Sequence, residues 1–193
     1  KKVIEGVTTY LFTVNAALYN NSGTDIDMEK LAQGITAQIM SSFNFKGPGF
    51  KVSMDFNLKI ANSINDISET DHVFQVVGQS SLRADENSRA LGNAEINGLN
   101  IRIGTDVANA IISGNNQRTA AHELGHTGGL RHIEDFPEGV GHSPLNLMME
   151  LDEAARNNGG SFMSSIILTR YQASQIYENR NNVNRNSPIK ILK

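Results

Sequence analysis

Three of the chain's five histidines fall within "TAAHELGHTGGLRH", Thr119 to His132, and Glu123 stands beside the first of them. On a helix, His122 and His126 lie one turn apart on a shared face, with Cβ atoms about 5–6 Å from each other. Two imidazoles so placed can both reach one metal ion at the roughly 2.0–2.1 Å typical of zinc–nitrogen bonds. Glu123 is turned about 100° from His122 around the helix and cannot share its ligand direction. It can instead reach a water in an open coordination position and take its proton as a general base. An ion that does chemistry needs a third protein ligand and one position left free. Gly128 and Gly129 supply the means, because glycine at a helix C-terminus adopts a left-handed conformation at little cost. The chain can then leave the helix sharply and bring His132 back to the ion. The spacing is H-E-x-x-H-x-x-G-x-x-H without a departure, from His122, Glu123, His126, Gly129 and His132. Five such positions match by accident in a chain of this size on the order of once in a hundred thousand. A helix with exposed histidines and a glycine cap is the plain alternative.

Composition narrows the chemistry further. There is no cysteine, so thiolate ligands and disulfides are excluded, and any zinc is held by His, Asp or Glu. The 193 residues suit one compact domain with a core of its own. A hydrophobic fraction of 39% against 19% charged residues is a folded composition. The net charge of -3 implies no basic surface, which argues against a nucleic-acid partner. No apolar run is long enough to span a membrane. No signal-peptide h-region follows the opening "KKVIEG", so a leader is expected to be either absent or already removed.

The elements that must position the histidines can be read from periodicity. Residues 7–14 alternate as a strand, with Tyr10, Phe12 and Val14 on one face, and "NNSGTD" marks a turn. Met28, Leu31, Ile35, Ile39 and Phe43 recur at helical spacing behind Asp27 as N-cap. "FNFKGPGF" breaks that helix. Residues 50–60 then alternate strictly, from Phe50, Val52, Met54 and Phe56 to Leu58 and Ile60. Residues 72–78 are a further strand and 79–89 a polar loop. "ALGNAEI" and "LNIRIG" flank Asn97-Gly98, which predicts a type I′ hairpin. From about Asp106 the pattern is helical, broken at Gly114-Asn115-Asn116 before the histidine helix. A loop is expected from His132 to about Pro144, where His142 and Arg131 read as a loop histidine and a structural ion-pairing residue. Thr169 with Gln172 forms a capping-box pattern for a last helix, whose narrow apolar face is Ala173, Ile176 and Tyr177. Mixed strands and helices in this order predict an α/β or α+β fold.

The histidine run resembles the zinc-binding consensus of the metzincin clan of metallopeptidases. That resemblance implies a single catalytic domain over residues 1–193. Its N-terminal subdomain, 1–129, would hold a twisted, mostly parallel mixed sheet, two helices and the active-site helix. Residues 130–193 would form a small irregular C-terminal subdomain ending in a helix. It implies one catalytic Zn2+ on His122, His126 and His132, with Glu123 as general base. It implies a methionine turn beneath the ligands, for which "SPLNLMME" offers Met148 first and Met149 second. It places Ala90, Leu91, Gly92, Asn93 and Ala94 in an antiparallel edge strand that pairs with an extended polypeptide substrate. The tyrosine that some metzincins carry two residues after the turn methionine is missing, since Glu150 and Leu151 stand there. A secreted, bacterial, monomeric endopeptidase is the expectation. Two other functions fit the same residues. One is a thermolysin-like peptidase that takes Glu150 or Glu153 as third ligand. The other is a non-catalytic binding or adhesion module with a vestigial zinc site.

Overall fold

A computed structural model describes residues 1–4, 6–82, 91–135, 146–149 and 167–181. Its centre is a seven-stranded sheet of β1 (Lys2–Ile4), β2 (Val7–Asn20), β3 (Phe45–Gly47), β4 (Phe50–Ala61), β5 (His72–Val77), β6 (Gly92–Ala94) and β7 (Asn100–Gly104). The strand order is β3-β4-β2-β5-β7-β6, with β1 paired to β2. The four inner strands, β4, β2, β5 and β7, are parallel, while β1, β3 and β6 are antiparallel to their partners. The fold is mixed α/β, as the order of patterns implied, and its sheet is mostly parallel, as the resemblance implied.

β2 runs six residues beyond the expected end at Val14. Its second half, "NAALYN", has weak strand propensity, yet it pairs with β4 on one side and β5 on the other. Ala16, Ala17 and Leu18 are fully buried there, so sheet-centre packing overrides local preference. The short β1 lies in the opening "KKVIEG" and β3 in the helix break "FNFKGPGF". β3 turns onto β4 through Gly49, whose φ of 70° suits glycine.

Helix α1 (Met28–Phe43) is capped as predicted, with Lys30 N–H donating to Asp27 Oδ1 at 3.1 Å. Its Leu31, Ile35, Ile39 and Phe43 enter the main core with Met54, Phe56, Phe74, Ile101 and Ile103 from the sheet. Burying each such side chain stabilises the fold by about 1.5–3 kcal/mol. β4 shows the reason for its alternation: Phe50, Val52, Met54 and Phe56 are buried, while Lys51, Asp55, Asn57 and Lys59 are exposed.

After β7 the chain enters α2 (Thr105–Ile112) and stops at Ser113 and Gly114, where φ is 76°. This break makes two helices of the stretch, so among the described residues three α-helices precede residue 130, the last of them the histidine helix. The third is α3 (Thr119–Thr127), and α4 (Arg170–Asn179) follows near the end of the described residues. No helix among the described residues is long and apolar enough to cross a membrane.

The predicted type I′ hairpin is corrected. The register Gly92↔Ile103, Asn93↔Arg102, Ala94↔Ile101 is centred on Asn97-Gly98 as expected. A type I′ turn needs positive φ at both central residues, and Asn97 has φ 60° while Gly98 has none. The hydrogen bond runs from Gly98 N–H to the Glu95 carbonyl, so the turn spans Glu95–Gly98 with Asn97 at its third position. Docking decides this: Asn97 N–H donates to the His126 carbonyl at 3.1 Å, which ties the turn to α3.

Candidate metal centre

α3 is seated by buried amides. Gln38 of α1 accepts from Ala120 N–H at 2.9 Å and donates to the Asn116 carbonyl at 2.7 Å. Asn116 Oδ1 accepts from the Arg118 and Thr119 N–H groups. Three otherwise orphaned donors of the helix start are thereby satisfied inside the core. At the other end Gly129 N–H reaches the His126 carbonyl at 2.9 Å and Leu130 N–H reaches the Gly125 carbonyl at 3.0 Å. This is a Schellman ending, and Gly129 carries the required positive φ of 89° while Gly128 does not. A side chain at Gly129 would also strike Asn97, whose Oδ1 lies 2.6 Å from where a Cβ would sit.

The ending delivers His132. The three Nε2 atoms of His122, His126 and His132 form a triangle with every side 3.2 Å. A tetrahedral zinc with nitrogen ligands at about 2.0–2.1 Å has ligand–ligand edges of about 3.3–3.4 Å, so the triangle fits such an ion. His122 Nδ1 lies 2.7 Å from the Leu147 carbonyl, and His126 Nδ1 lies 2.8 Å from the Leu130 carbonyl. A carbonyl only accepts, so both rings carry their proton on Nδ1 and aim a bare Nε2 lone pair at the centre. Burial, with the Arg118 charge next, holds His122 well below the usual imidazole range. His126 is lowered as well, mainly by burial and against the pull of the Leu130 carbonyl. Neutral rings are the form that binds a metal.

Glu123 is buried, and burial pushes its carboxyl up to about 8 while Arg118 pulls it down. It faces β6: a Cβ on Gly92 would lie 2.8 Å from Glu123 Oε1. Gly92, Asn93, Ala94 and Ile96 line one side of a cleft of about 270 Å3, with Glu123, His126 and His132 on its floor. β6 ends the strand order, so its outer edge is unpaired within the described sheet. Of the five residues expected there, Gly92–Ala94 are strand and Leu91 precedes it, accepting from Gly104 N–H. Ala90 lies outside the described residues.

Beneath the three histidines runs the turn Asn146–Met149. Met148 is fully buried, with Sδ 2.5 Å from where a Cβ on Gly125 would sit, so it packs on the helix between the two histidines. Gly125 makes room for it. Asn146 Oδ1 accepts from Met148 N–H at 2.8 Å, and the Asn146 and Gln172 amides exchange two hydrogen bonds of 3.0 Å. Gln172 also closes the predicted capping box with Thr169 at the start of α4. Arg131 is exposed and lines the cleft. Glu150, Glu153 and His142 lie outside the described residues.

Sequence reasoning passed over Arg118, Asn116, Gln38 and the Asn146–Gln172 pair. Only Gln172 carried a signal, and that was for a cap. Arg118 is buried, and desolvation brings its guanidinium down to about 10.

No family model matches the chain, and no curated protein matches it. Among solved structures, metalloproteinase-II from Bacteroides fragilis aligns over 92% of the chain at 13% identity and a TM-score of 0.45. The chain spans 56% of that protein's length. Archaemetzincin from Archaeoglobus fulgidus aligns over 85% of the chain and 99% of its own length, at 12% identity and a TM-score of 0.43. The GM1-bound ECX AB5 holotoxin aligns over 90% of the chain and 78% of its own, at 10% identity and a TM-score of 0.35.

Proposed function

We propose that the chain is a zinc-dependent endopeptidase of metzincin type. One observation carries this: three histidine Nε2 atoms converge on one point, and two of those rings, His126 and His132, line a cleft together with the buried Glu123 carboxyl and an edge strand unpaired within the described sheet. His122, His126 and His132 would hold the ion. Bound zinc supplies a Lewis acid that polarises a carbonyl and acidifies water. Glu123 takes the proton from the attacking water at a carboxylate oxygen and returns it to the leaving amine. Burial alone favours its protonated form, and a divalent cation at the triad favours the carboxylate that a base requires. The backbone of β6 offers N–H and C=O groups to an extended peptide, which adds as an antiparallel strand. The small side chains at Gly92 and Ala94 leave that approach unhindered. His132 completes the triangle without help from Glu150 or Glu153, which favours the three-histidine set over the thermolysin-like one.

The test is incubation of the zinc-loaded protein with a mixed peptide library, read by mass spectrometry, beside Glu123→Gln. Internal cleavage by the wild type and its loss in a variant that keeps one zinc is the expected result. Wild-type protein with full zinc and no cleaved peptide would point to a binding module instead.

A further inference from the structure

The two helix-borne histidines are oriented in different ways. His126 Nδ1 donates to the Leu130 carbonyl, four residues along the same chain turn. His122 Nδ1 donates to the Leu147 carbonyl, twenty-five residues away on a separate loop. A ligand whose acceptor sits on another segment is held only as well as that segment is held. Arg118 supplies the link. It stands four residues before His122, which puts it on the same helix face and one turn beneath the ring. Its Nε and Nη2 donate to the Leu147 carbonyl at 3.2 and 3.0 Å, and Nη2 also donates to the Met149 carbonyl. Nη2 lies 3.2 Å from His122 Nδ1. The planar fork therefore grips two alternate carbonyls of the turn and shares one of them with the ligand ring.

A buried guanidinium is costly to desolvate and is usually matched by a carboxylate. Among the described residues no carboxylate lies at ion-pair distance from Arg118, although the Glu123 and Glu134 charges act on it from farther off. Its hydrogen bonds go to the backbone of one turn, so what it fixes is the position of that backbone. The remaining ties of the turn come from elsewhere: Leu147 N–H to the Ile167 carbonyl, Ile133 N–H to the Met148 carbonyl, and the Asn146–Gln172 pair. Arg118, the N-cap of the ligand helix, ties the turn to the start of that helix, beside the bond from His122 itself. We propose that Arg118 is a positioning residue for the metal site: it clamps the Leu147 and Met149 carbonyls so that Leu147 orients His122 with its Nε2 toward the triad. This rests on the triad holding a metal ion, and not on the hydrolytic step.

The experiment measures zinc affinity by chelator competition and the visible spectrum of the cobalt(II)-loaded protein. It uses wild type, Arg118→Gln, Arg118→Lys, His122→Ala and the Arg118→Gln/His122→Ala double variant. Loss of a residue that orients a ligand weakens metal binding about 10- to 100-fold. That loss is expected for Arg118→Gln, with cobalt bands reduced in intensity, while circular dichroism shows the fold retained. Arg118→Lys keeps the charge without the fork and is expected to lose at least about tenfold. It also serves where Arg118→Gln does not fold. In the His122→Ala background the same change is expected to cost less than about threefold, because its target is gone. Zinc affinity within about threefold of wild type in both Arg118 variants overturns the proposal. So does an equal loss with and without His122, which would mark a merely structural role. Wild-type protein that binds no zinc or cobalt overturns both this proposal and the metal-site reading, whereas a metal-binding but inactive wild type touches only the peptidase reading.

Discussion

Gly92→Ala isolates the placement of Glu123 from everything else in the site. A Cβ at this position would lie 2.8, 2.9 and 3.0 Å from Glu123 Oε1, Cγ and Cδ. Comfortable contacts of this kind are about 3.5–4.0 Å, so the carboxylate must give way by roughly half an ångström to one ångström. It has no easy retreat, because Glu123 is only 6% exposed and the cleft is the open side. A misplacement of about 1 Å in a reacting group costs on the order of a hundredfold. The expected fall in kcat/KM is therefore about 10- to 100-fold, or roughly 1.4–2.7 kcal/mol of transition-state stabilisation. Two other quantities should hold still. Gly92 has no positive φ, so alanine meets no backbone strain, and its lower unfolded-state entropy offsets part of the crowding. The histidines keep their tethers to the Leu130 and Leu147 carbonyls, so zinc stoichiometry should stay at one. The assay is turnover of a fluorogenic peptide chosen from the library, alongside metal analysis and thermal unfolding. A Gly92→Ala enzyme within twofold of wild type would refute the placement of Glu123 against β6.

Three further outcomes are expected. His132→Ala should lose stoichiometric zinc on dialysis while Glu150→Ala keeps it, and the reverse pattern would install the acid as third ligand. In metal-free protein, the Glu123 carboxyl is raised from 4.5 to about 8, so between those values the unfolded chain releases a proton that the folded chain retains. Stability therefore falls with rising pH through that window, and urea unfolding should show metal-free Glu123→Gln gaining on wild type by up to a few kcal/mol from pH 5 to pH 8. A gap that does not change with pH would contradict the burial of Glu123. Asn146→Ala removes the buried acceptor of Gln172 Nε2 and Met148 N–H and should cost about 1–3 kcal/mol in urea unfolding. Replacing both should cost less than the two single losses added together.

What could be read from the sequence follows physical locality. The convergence of His122, His126 and His132, the Gly129 turn, the Asp27 cap and the Thr169 capping box all come from short stretches of chain, and each arrangement is present in the structure. β4 was legible because one of its faces is wet, which writes its burial as alternation. The second half of β2 was not, because both its edges are paired and its alanines and asparagines carry no strand signal. The Asn97-Gly98 pair gave the right register and the wrong turn type, since a contact with the His126 carbonyl on α3 decided the backbone angles. The two candidate methionines looked alike in sequence. Space opposite Gly125 separates them, and it admits Met148.

The least legible residues are those that join segments. Arg118 bonds to carbonyls 29 and 31 residues away, and Asn146 pairs with Gln172 across 26. No local pattern announces such pairs, because the carbonyls Arg118 grips belong to backbone and could belong to any residue. Yet they decide whether the local motif works. The histidine helix by itself fixes two rings and a carboxylate, and its glycine ending aims a third ring. The orientation of His122 comes from Leu147, whose place is held on one side by Arg118 and on the other by Asn146, Gln172 and so by α4. α4 therefore reaches the histidine cluster through one turn of backbone, though it contributes none of the three converging nitrogens. A motif match establishes the donor atoms, and the long-range polar ties establish that those donors converge.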